Sequence, residues 1–296
     1  MPLKTAQDFD QELLILFDAY VHGTIDRRGF LDRAQKFAVG GLTAAGLLTA
    51  LSPDFAQAQV VPKNDARIKT EVVEYASPAG SGTVKGYLAK PANMTGKLPV
   101  VLVVHENRGL NPHIEDITRR LALDNFVAFA PDALTPLGGY PGDEDKAREQ
   151  FAKLDQKKTA EDFVSAAAFL KARPESNGKL GAVGFCFGGG VVHMLSTRLP
   201  DLNAGVPFYG NHPAAAEAVK VKAPLLIQFA GVDERINAAW PTYEAALKAA
   251  NANYIAHTYA GTQHGFNNDT TPRFDATAAA LAWGRTLDFF NKHLRA

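Results

Sequence analysis

A single cysteine stands in this 296-residue chain, and its neighbours are those a nucleophile needs. Gly184-Phe185-Cys186-Phe187-Gly188 lies between a β-rich run ending at Val183 and a helical pattern that begins near Gly189. This is the nucleophile-elbow pattern with Cys in place of Ser. A sharp strand-to-helix turn forces its central residue into a strained backbone, so the positions two away must be glycine to clear it. Gly184, Gly188, Gly189 and Gly190 meet that need. The turn also sets Cys186 at a helix N-terminus, where free N–H groups and the helix dipole favour a thiolate. It aims the Phe187 N–H at a developing oxyanion. A lone cysteine is more often a buried structural residue, but five matching positions between a strand and a helix favour the nucleophile.

A nucleophile needs a base, and the base needs an orienting carboxylate. Asp233 follows the β-rich run 224–229 in Ala230-Gly231-Val232-Asp233, at the carboxyl edge of a strand. His264 follows the next run, in Gly261-Thr262-Gln263-His264-Gly265-Phe266. Chain order Cys, Asp, His suits a triad on a strand-loop-helix scaffold. Asp233 could instead be a helix N-cap, a common use of Asp. Among the eight histidines, His193, His257 and His293 fall inside helix or strand patterns and read as structural or exposed. His105-Glu106 lacks the second histidine of a zinc helix and follows a strand, so neither metal nor cofactor is called for.

The elements that must position these groups alternate from Glu71 onward, β-rich runs with helical patterns, which predicts a mostly parallel sheet of about seven or eight strands covered on both faces. Residues 83–89 alternate like an antiparallel edge strand, whereas residues 99–104 (PVVLVV) are continuously apolar, as in a strand buried on both sides. Strands are also expected over 126–130, 179–183, 204–208, 224–229 and 254–259. Helices are expected around 114–123 and over 144–154, 159–171, 240–250 and 276–293, the third opened by Thr159 with Asp162 three residues on. Residues 134–143 (LTPLGGYPGD) are rich in Pro and Gly and predict a loop at a strand's carboxyl end, where ligand sites gather. Tyr140 in that loop is a candidate substrate contact.

Apolar residues make up 46% and charged residues 21%, enough to bury a large core in one sheet domain. Lys plus Arg equals Asp plus Glu at 31 each, so no net field draws in nucleic acid or an anionic membrane. With one Cys, no internal disulfide can form. The expected small-molecule partner is thus set by the site, and the oligomeric state is left open.

Residues 1–60 read as an N-terminal helical extension ahead of a domain over 61–296. Asp26-Arg27-Arg28-Gly29-Phe30-Leu31 resembles a twin-arginine export motif, followed by an uncharged stretch at 37–51 and small residues at Ala56-Gln57-Ala58. Fifteen uncharged residues fall short of the roughly 20 that cross a membrane. Cleaved export to the periplasm is the favoured expectation. The alternative is a retained extension in the cytoplasm, because residues 7–20 already form an acidic amphipathic pattern.

Taken together, His105-Glu106-Asn107-Arg108-Gly109, the Gly184 to Gly189 elbow, Gly231-Val232-Asp233 and His264-Gly265-Phe266 make residues 71–294 resemble the dienelactone hydrolase family, also called carboxymethylenebutenolidases. The resemblance implies an α/β-hydrolase fold and hydrolysis of an ester or lactone through a Cys186-His264-Asp233 triad. It further implies that Glu106 acts on the thiol and that the Asn107 N–H joins that of Phe187 in the oxyanion hole. A carboxylate at a central strand's end in an apolar cleft should also be able to accept a proton. The family's two substrate-clamping arginines are missing from Asp132-Ala133-Leu134-Thr135-Pro136 and from His264-Gly265-Phe266-Asn267-Asn268, leaving Arg108 and Arg273 as candidate substitutes. Of the rival classes, a non-catalytic ligand-binding protein has no need of a complete triad, and thiol redox chemistry lacks a resolving cysteine.

Overall fold

The structure, a computed structural model, describes residues 4–56 and 58–295. The expected cleavage pattern Ala56-Gln57-Ala58 therefore falls partly outside the described residues.

Three short helices come first, α1 (Gln11–Val21), α2 (Arg27–Ala34) and α3 (Ala44–Leu51). Side chains of Asp10, Asp26 and Thr43 cap them by accepting backbone N–H groups of Glu12, Gly29 and Gly46. The cap at Asp10 starts α1 four residues later than the pattern over 7–20 suggests. Leu13, Leu14, Phe17 and Tyr20 share one face of α1 and meet Phe30 and Ala34 of α2 and Leu47, Leu48 and Leu51 of α3 in a core of their own. The chain then runs back across the larger domain: the Asp116 carboxylate accepts from the Val60 and Val61 N–H groups, and Arg119 Nε donates to the Val61 carbonyl.

The larger domain follows as β1 (Ile68–Ser77), β2 (Gly82–Pro91), β3 (Leu98–Val104), α4 (Pro112–Leu123), β4 (Val127–Pro131), α5 (Glu144–Phe151), α6 (Gln156–Lys171), β5 (Ser176–Phe185), α7 (Phe187–Arg198), β6 (Ala204–Phe208), β7 (Leu225–Ala230), α8 (Glu234–Asn237), α9 (Trp240–Ala249), β8 (Tyr254–Tyr259) and α10 (Ala276–Leu294). One eight-stranded sheet runs β1-β2-β4-β3-β5-β6-β7-β8. β2 pairs antiparallel with β1 and β4, and every pairing from β4 to β8 is parallel. This is the mostly parallel, helix-flanked sheet expected, with two local corrections. β2 is not the edge: β1 lies outside it, so its alternation reflects a strand buried unevenly on its two faces. Likewise α6 begins before Thr159, because Asp155 accepts from the Lys157 and Lys158 N–H groups and caps it there.

The continuous apolar run of β3 is explained by the two layers it separates. Val101 and Val103 point into a core with Ile114, Ile117 and Leu121 of α4 and Phe289 and Phe290 of α10. Val100, Leu102 and Val104 point the other way, onto Phe163 and Leu170 of α6 and Val192 and Leu195 of α7. Each such side chain contributes about 2 kcal/mol by leaving water, and the summed preference locks the register of the central strands. From β3 the chain crosses to β4 on one side and then to β5 on the other. That reversal opens a crevice at the carboxyl ends of β3 and β5, where α/β sheets place their ligands. Among the described residues, no helix is long and apolar enough to cross a membrane.

Candidate active site

Cys186 ends the β5-to-α7 turn with φ 56° and ψ −113°, a backbone that a non-glycine residue adopts only under constraint. The constraint is the close packing around it. A Cβ on Gly184 would overlap the carbonyl of Gly188, and one on Gly188 would overlap the carbonyl of Val104 in β3. The Cys186 N–H is tied to the Phe208 carbonyl at the end of β6, at 3.1 Å. The thiol is thus held at the crevice with 8% of the residue's surface exposed. Phe187 is the first residue of α7, so its N–H has no intrahelical partner and is available to an anion.

Asp233 and His264 meet across the loops after β7 and β8. His264 Nδ1 donates to Asp233 Oδ2 at 2.5 Å, and both residues are buried. Asp233 also caps α8, its other oxygen accepting from the Ile236 N–H at 3.3 Å. One side chain thus both caps a helix and bonds the imidazole. With Nδ1 committed, Nε2 is the free nitrogen of His264, buried and without a hydrogen-bond partner among the described residues.

Sequence reasoning missed a second imidazole at the thiol. His22, at the end of α1, places Nε2 at 3.3 Å from Cys186 Sγ, and its ring stands edge-on to that of His264 with centroids 4.7 Å apart. Its Nδ1 faces the Asp18 carbonyl at 2.8 Å and the Asp18 carboxylate at 3.2 Å. The ligating atoms of His22, Cys186 and His264 all lie within 4.8 Å of one another, a set that could hold a thiophilic divalent metal.

The electrostatics follow from this crowding. Burial pushes the Cys186 thiol up, but the charges of His264 and His22 and the hydrogen bond from His22 outweigh it and bring it down to about 6. Burial pushes His264 down, but the Cys186 charge and the Asp233 carboxylate raise it to about 10. His22 is raised in the same way against its own burial, by Cys186 and Asp18. Asp18 is held well below the usual carboxylate range because its bond to His22 and the charges of His264, His22 and Arg273 overcome desolvation.

The remaining candidates divide between the site and its supports. Glu106 and Asn107 follow β3 and line a cavity of about 50 Å³ that Cys186, His264, Arg108 and Arg273 also reach. The Glu106 carboxylate accepts from Asn268 Nδ2 at 2.9 Å. Arg108 donates to the carbonyls of Val21 and Asn107 and lies 3.6 Å from Glu144, while Arg273 pairs with Asp18 at 3.2 Å. Both guanidinium groups are therefore engaged by α1 rather than open to solvent. The Tyr140 hydroxyl donates to Glu144 at 2.9 Å. His105 is structural: Nδ1 donates to the Glu106 carbonyl, and Nε2 accepts from the Ala133 N–H. A wider cavity of about 610 Å³ opens over Cys186, with Phe151, Phe187 and Tyr209 giving it apolar walls and Arg148, Lys153 and Arg235 its cations.

Comparison with known proteins gives the chain's family. A family model described as "Dienelactone hydrolase family" matches residues 84–294, and one described as "YqhI-like" matches residues 1–39. A Yersinia pestis protein named "Putative carboxymethylenebutenolidase" is 32% identical over 231 residues, covering 73% of this chain and 86% of its own. An Escherichia coli protein named "Putative hydrolase fragment YghX" is 52% identical over 114 residues, 38% of this chain and 97% of its own. Among solved structures, one titled "Putative Dienelactone Hydrolase" from Klebsiella pneumoniae superposes with a TM-score of 0.66 at 28% identity, covering 76% of this chain and 99% of its own.

Proposed function

The chain belongs to the dienelactone hydrolase family, and from that premise we propose that it is a carboxylic-ester hydrolase that opens an ester or lactone through a Cys186 thioester. The observation that carries the reading is one sulfur, held in a strained elbow, beside an imidazole that is itself bonded to a buried carboxylate. In the proposed cycle the thiolate attacks the substrate carbonyl while the N–H groups of Asn107 and Phe187 receive the oxyanion. Such preorganised donors are worth about 3 kcal/mol each in the transition state. His264 then gives its proton to the leaving alkoxide, and its freed Nε2 takes a proton from the water that hydrolyses the thioester. Asp233 keeps the imidazole in the tautomer that points Nε2 at the reacting atoms. Glu106 and Asn268 line the same cavity as the thiol, where a carboxylate can steer substrate or thiol. The cavity of about 610 Å³ suits a small ester or lactone with an apolar body.

Replacing Cys186 by Ala tests this directly. Hydrolysis of p-nitrophenyl acetate should fall at least 10³-fold with the far-UV spectrum unchanged, and the parent should gain one acetyl mass on acid quench. An active Cys186→Ala enzyme would reject the thioester route.

A further inference from the structure

We propose that His22 is a second catalytic imidazole: from the end of α1 it rests on Cys186 and takes the thiol proton, so that the active site is assembled from both halves of the chain. This rests on the reading of Cys186 as nucleophile. Two like arrangements flank one sulfur. On one side Asp233 holds His264 by Nδ1, and on the other Asp18 holds His22 by Nδ1 through both its carbonyl and its carboxylate. In each pair the bond at Nδ1 fixes the ring and leaves Nε2 for chemistry. It is His22 Nε2, at 3.3 Å, that makes the hydrogen bond to Sγ.

The placement is built rather than incidental. Val21, the neighbour of His22, accepts hydrogen bonds at its carbonyl from Asn107 Nδ2 at 2.9 Å and Arg108 Nη1 at 3.2 Å. Tyr20 and Arg27 both bond to Asp145 in the first turn of α5, and Gln11 exchanges bonds with Gln263, next to His264. Asp18, which orients His22, is itself paired with Arg273 at 3.2 Å. His22 also sits at a helix C-terminus, where the dipole favours a cation.

The step balances within the site. The Sγ–H bond breaks, its proton joins His22 Nε2, and a thiolate–imidazolium pair results. The thiolate then forms its bond to the carbonyl carbon, the carbon–oxygen bond to the leaving group breaks, and that alkoxide takes the proton carried by His264. With His22 holding the thiol's proton, His264 is free to serve the leaving group and then water. The groups facing this pair are Asp18 from α1, Arg235 from α8, His264 and Arg273 from the loop after β8, and Glu106 and Arg108 from the loop after β3. Burial and the neighbouring His264 work against protonation of His22, whose Nε2 also lies 3.1 Å from Arg235 Nη2. The Cys186 charge and Asp18 outweigh this, and His22 is raised.

Because Cys186 is the only thiol, iodoacetamide reports on it alone. The rate of alkylation is measured against pH, in chelator, for the parent and for His22→Asn, His22→Gln and His264→Asn. Loss of His22 Nε2 in His22→Asn should move the inflection up by about one pH unit or more and cut p-nitrophenyl acetate hydrolysis about 10²-fold. His22→Gln, which restores a neutral donor but no charge, should lie between, and millimolar imidazole should restore activity to His22→Ala. An unchanged inflection and rate in His22→Asn, with both lost in His264→Asn, overturns this proposal and leaves the nucleophile standing. Faster hydrolysis in His22→Asn also overturns it, making α1 a plug. Turnover by Cys186→Ala instead removes the premise itself.

Discussion

Replacing Asp233 by Asn isolates a charge without disturbing the fold. Asp233 has two uses, as partner of His264 Nδ1 and as cap of α8. Asn caps a helix as well as Asp does, so the variant keeps the second use and loses only the anion behind the imidazole. His264 is raised from 6.5 to about 10 against the pull of burial, first by Cys186 and then by Asp233. At 1.4 kcal/mol per pH unit the net lift is about 5 kcal/mol, which the anions supply over and above the cost of burial. Each pH unit that the imidazole loses with Asp233 weakens the imidazolium about tenfold. An Asn amide also admits the wrong tautomer, and in serine triads the same replacement costs about 10⁴ in kcat. The expected loss for Asp233→Asn is therefore between about 10² and 10⁴ in kcat. Because His264 is raised in the folded protein, its contribution to stability is full below about pH 6.5 and lost as pH rises toward 10. The variant should give up part of that contribution at neutral pH, and the alkaline limb of its kcat/KM profile should move to lower pH. Steady-state hydrolysis of p-nitrophenyl acetate from pH 5 to 10 reads the rate and the limb, and urea unfolding at pH 7 reads the stability. A rate within threefold of the parent, with an unmoved alkaline limb, would refute the assignment of Asp233 as the orienting anion.

Two further outcomes concern the scaffold. Gly188→Ala should cost roughly 3 kcal/mol in urea unfolding, because its Cβ would overlap the β3 backbone at Val104 and lie 2.8 Å from the His105 carbonyl; a loss below 1 kcal/mol would mean the elbow is looser than described. His193 is buried against the rings of His212 and Tyr243, and burial together with His212 lowers it to about 3. The unfolded chain then binds the extra proton between pH 3 and 6.5, so stability falls as pH drops through that window, by roughly 2 kcal/mol at pH 5 from this residue. His193→Phe should flatten the pH dependence of the urea midpoint between pH 7 and 5, and an unaltered slope would count against a neutral buried His193.

The legible parts of this protein were those fixed by local rules. The elbow needs its glycines within two residues of Cys186, and a βα scaffold puts Asp233 and His264 at the carboxyl ends of successive strands, so three groups could be found from spacing alone. That residues 99–104 form a strand buried on both faces followed from their unbroken apolar run. What was hidden has no local signature. Asp18 reaches Arg273 over 255 residues and His22 reaches Cys186 over 164. On a helix that reads as amphipathic, an Asp and a His four residues apart look like part of a solvated face. Arg108 and Arg273 stood out as candidate substrate clamps because the carbonyl and carboxylate that hold them come from α1.

The same distance explains why residues 1–60 carried two readings. Arg27 is the first arginine of the export-like motif and also the partner of Asp145 at 2.5 Å, while Leu47, Leu48 and Leu51 lie in the uncharged stretch and also close the core over Phe17 and Phe30. For an export receptor to read them, that small core must open, which withdraws α1 from the crevice and takes His22 from the sulfur. For the enzyme to use them, they must stay folded, with Asp18 between Arg273 and His22. Each use excludes the other at any moment. On the proposal that His22 takes the thiol proton, a chain that keeps these helices would work with two carboxylate-backed imidazoles on one thiol, and a chain cut near Ala58 with one.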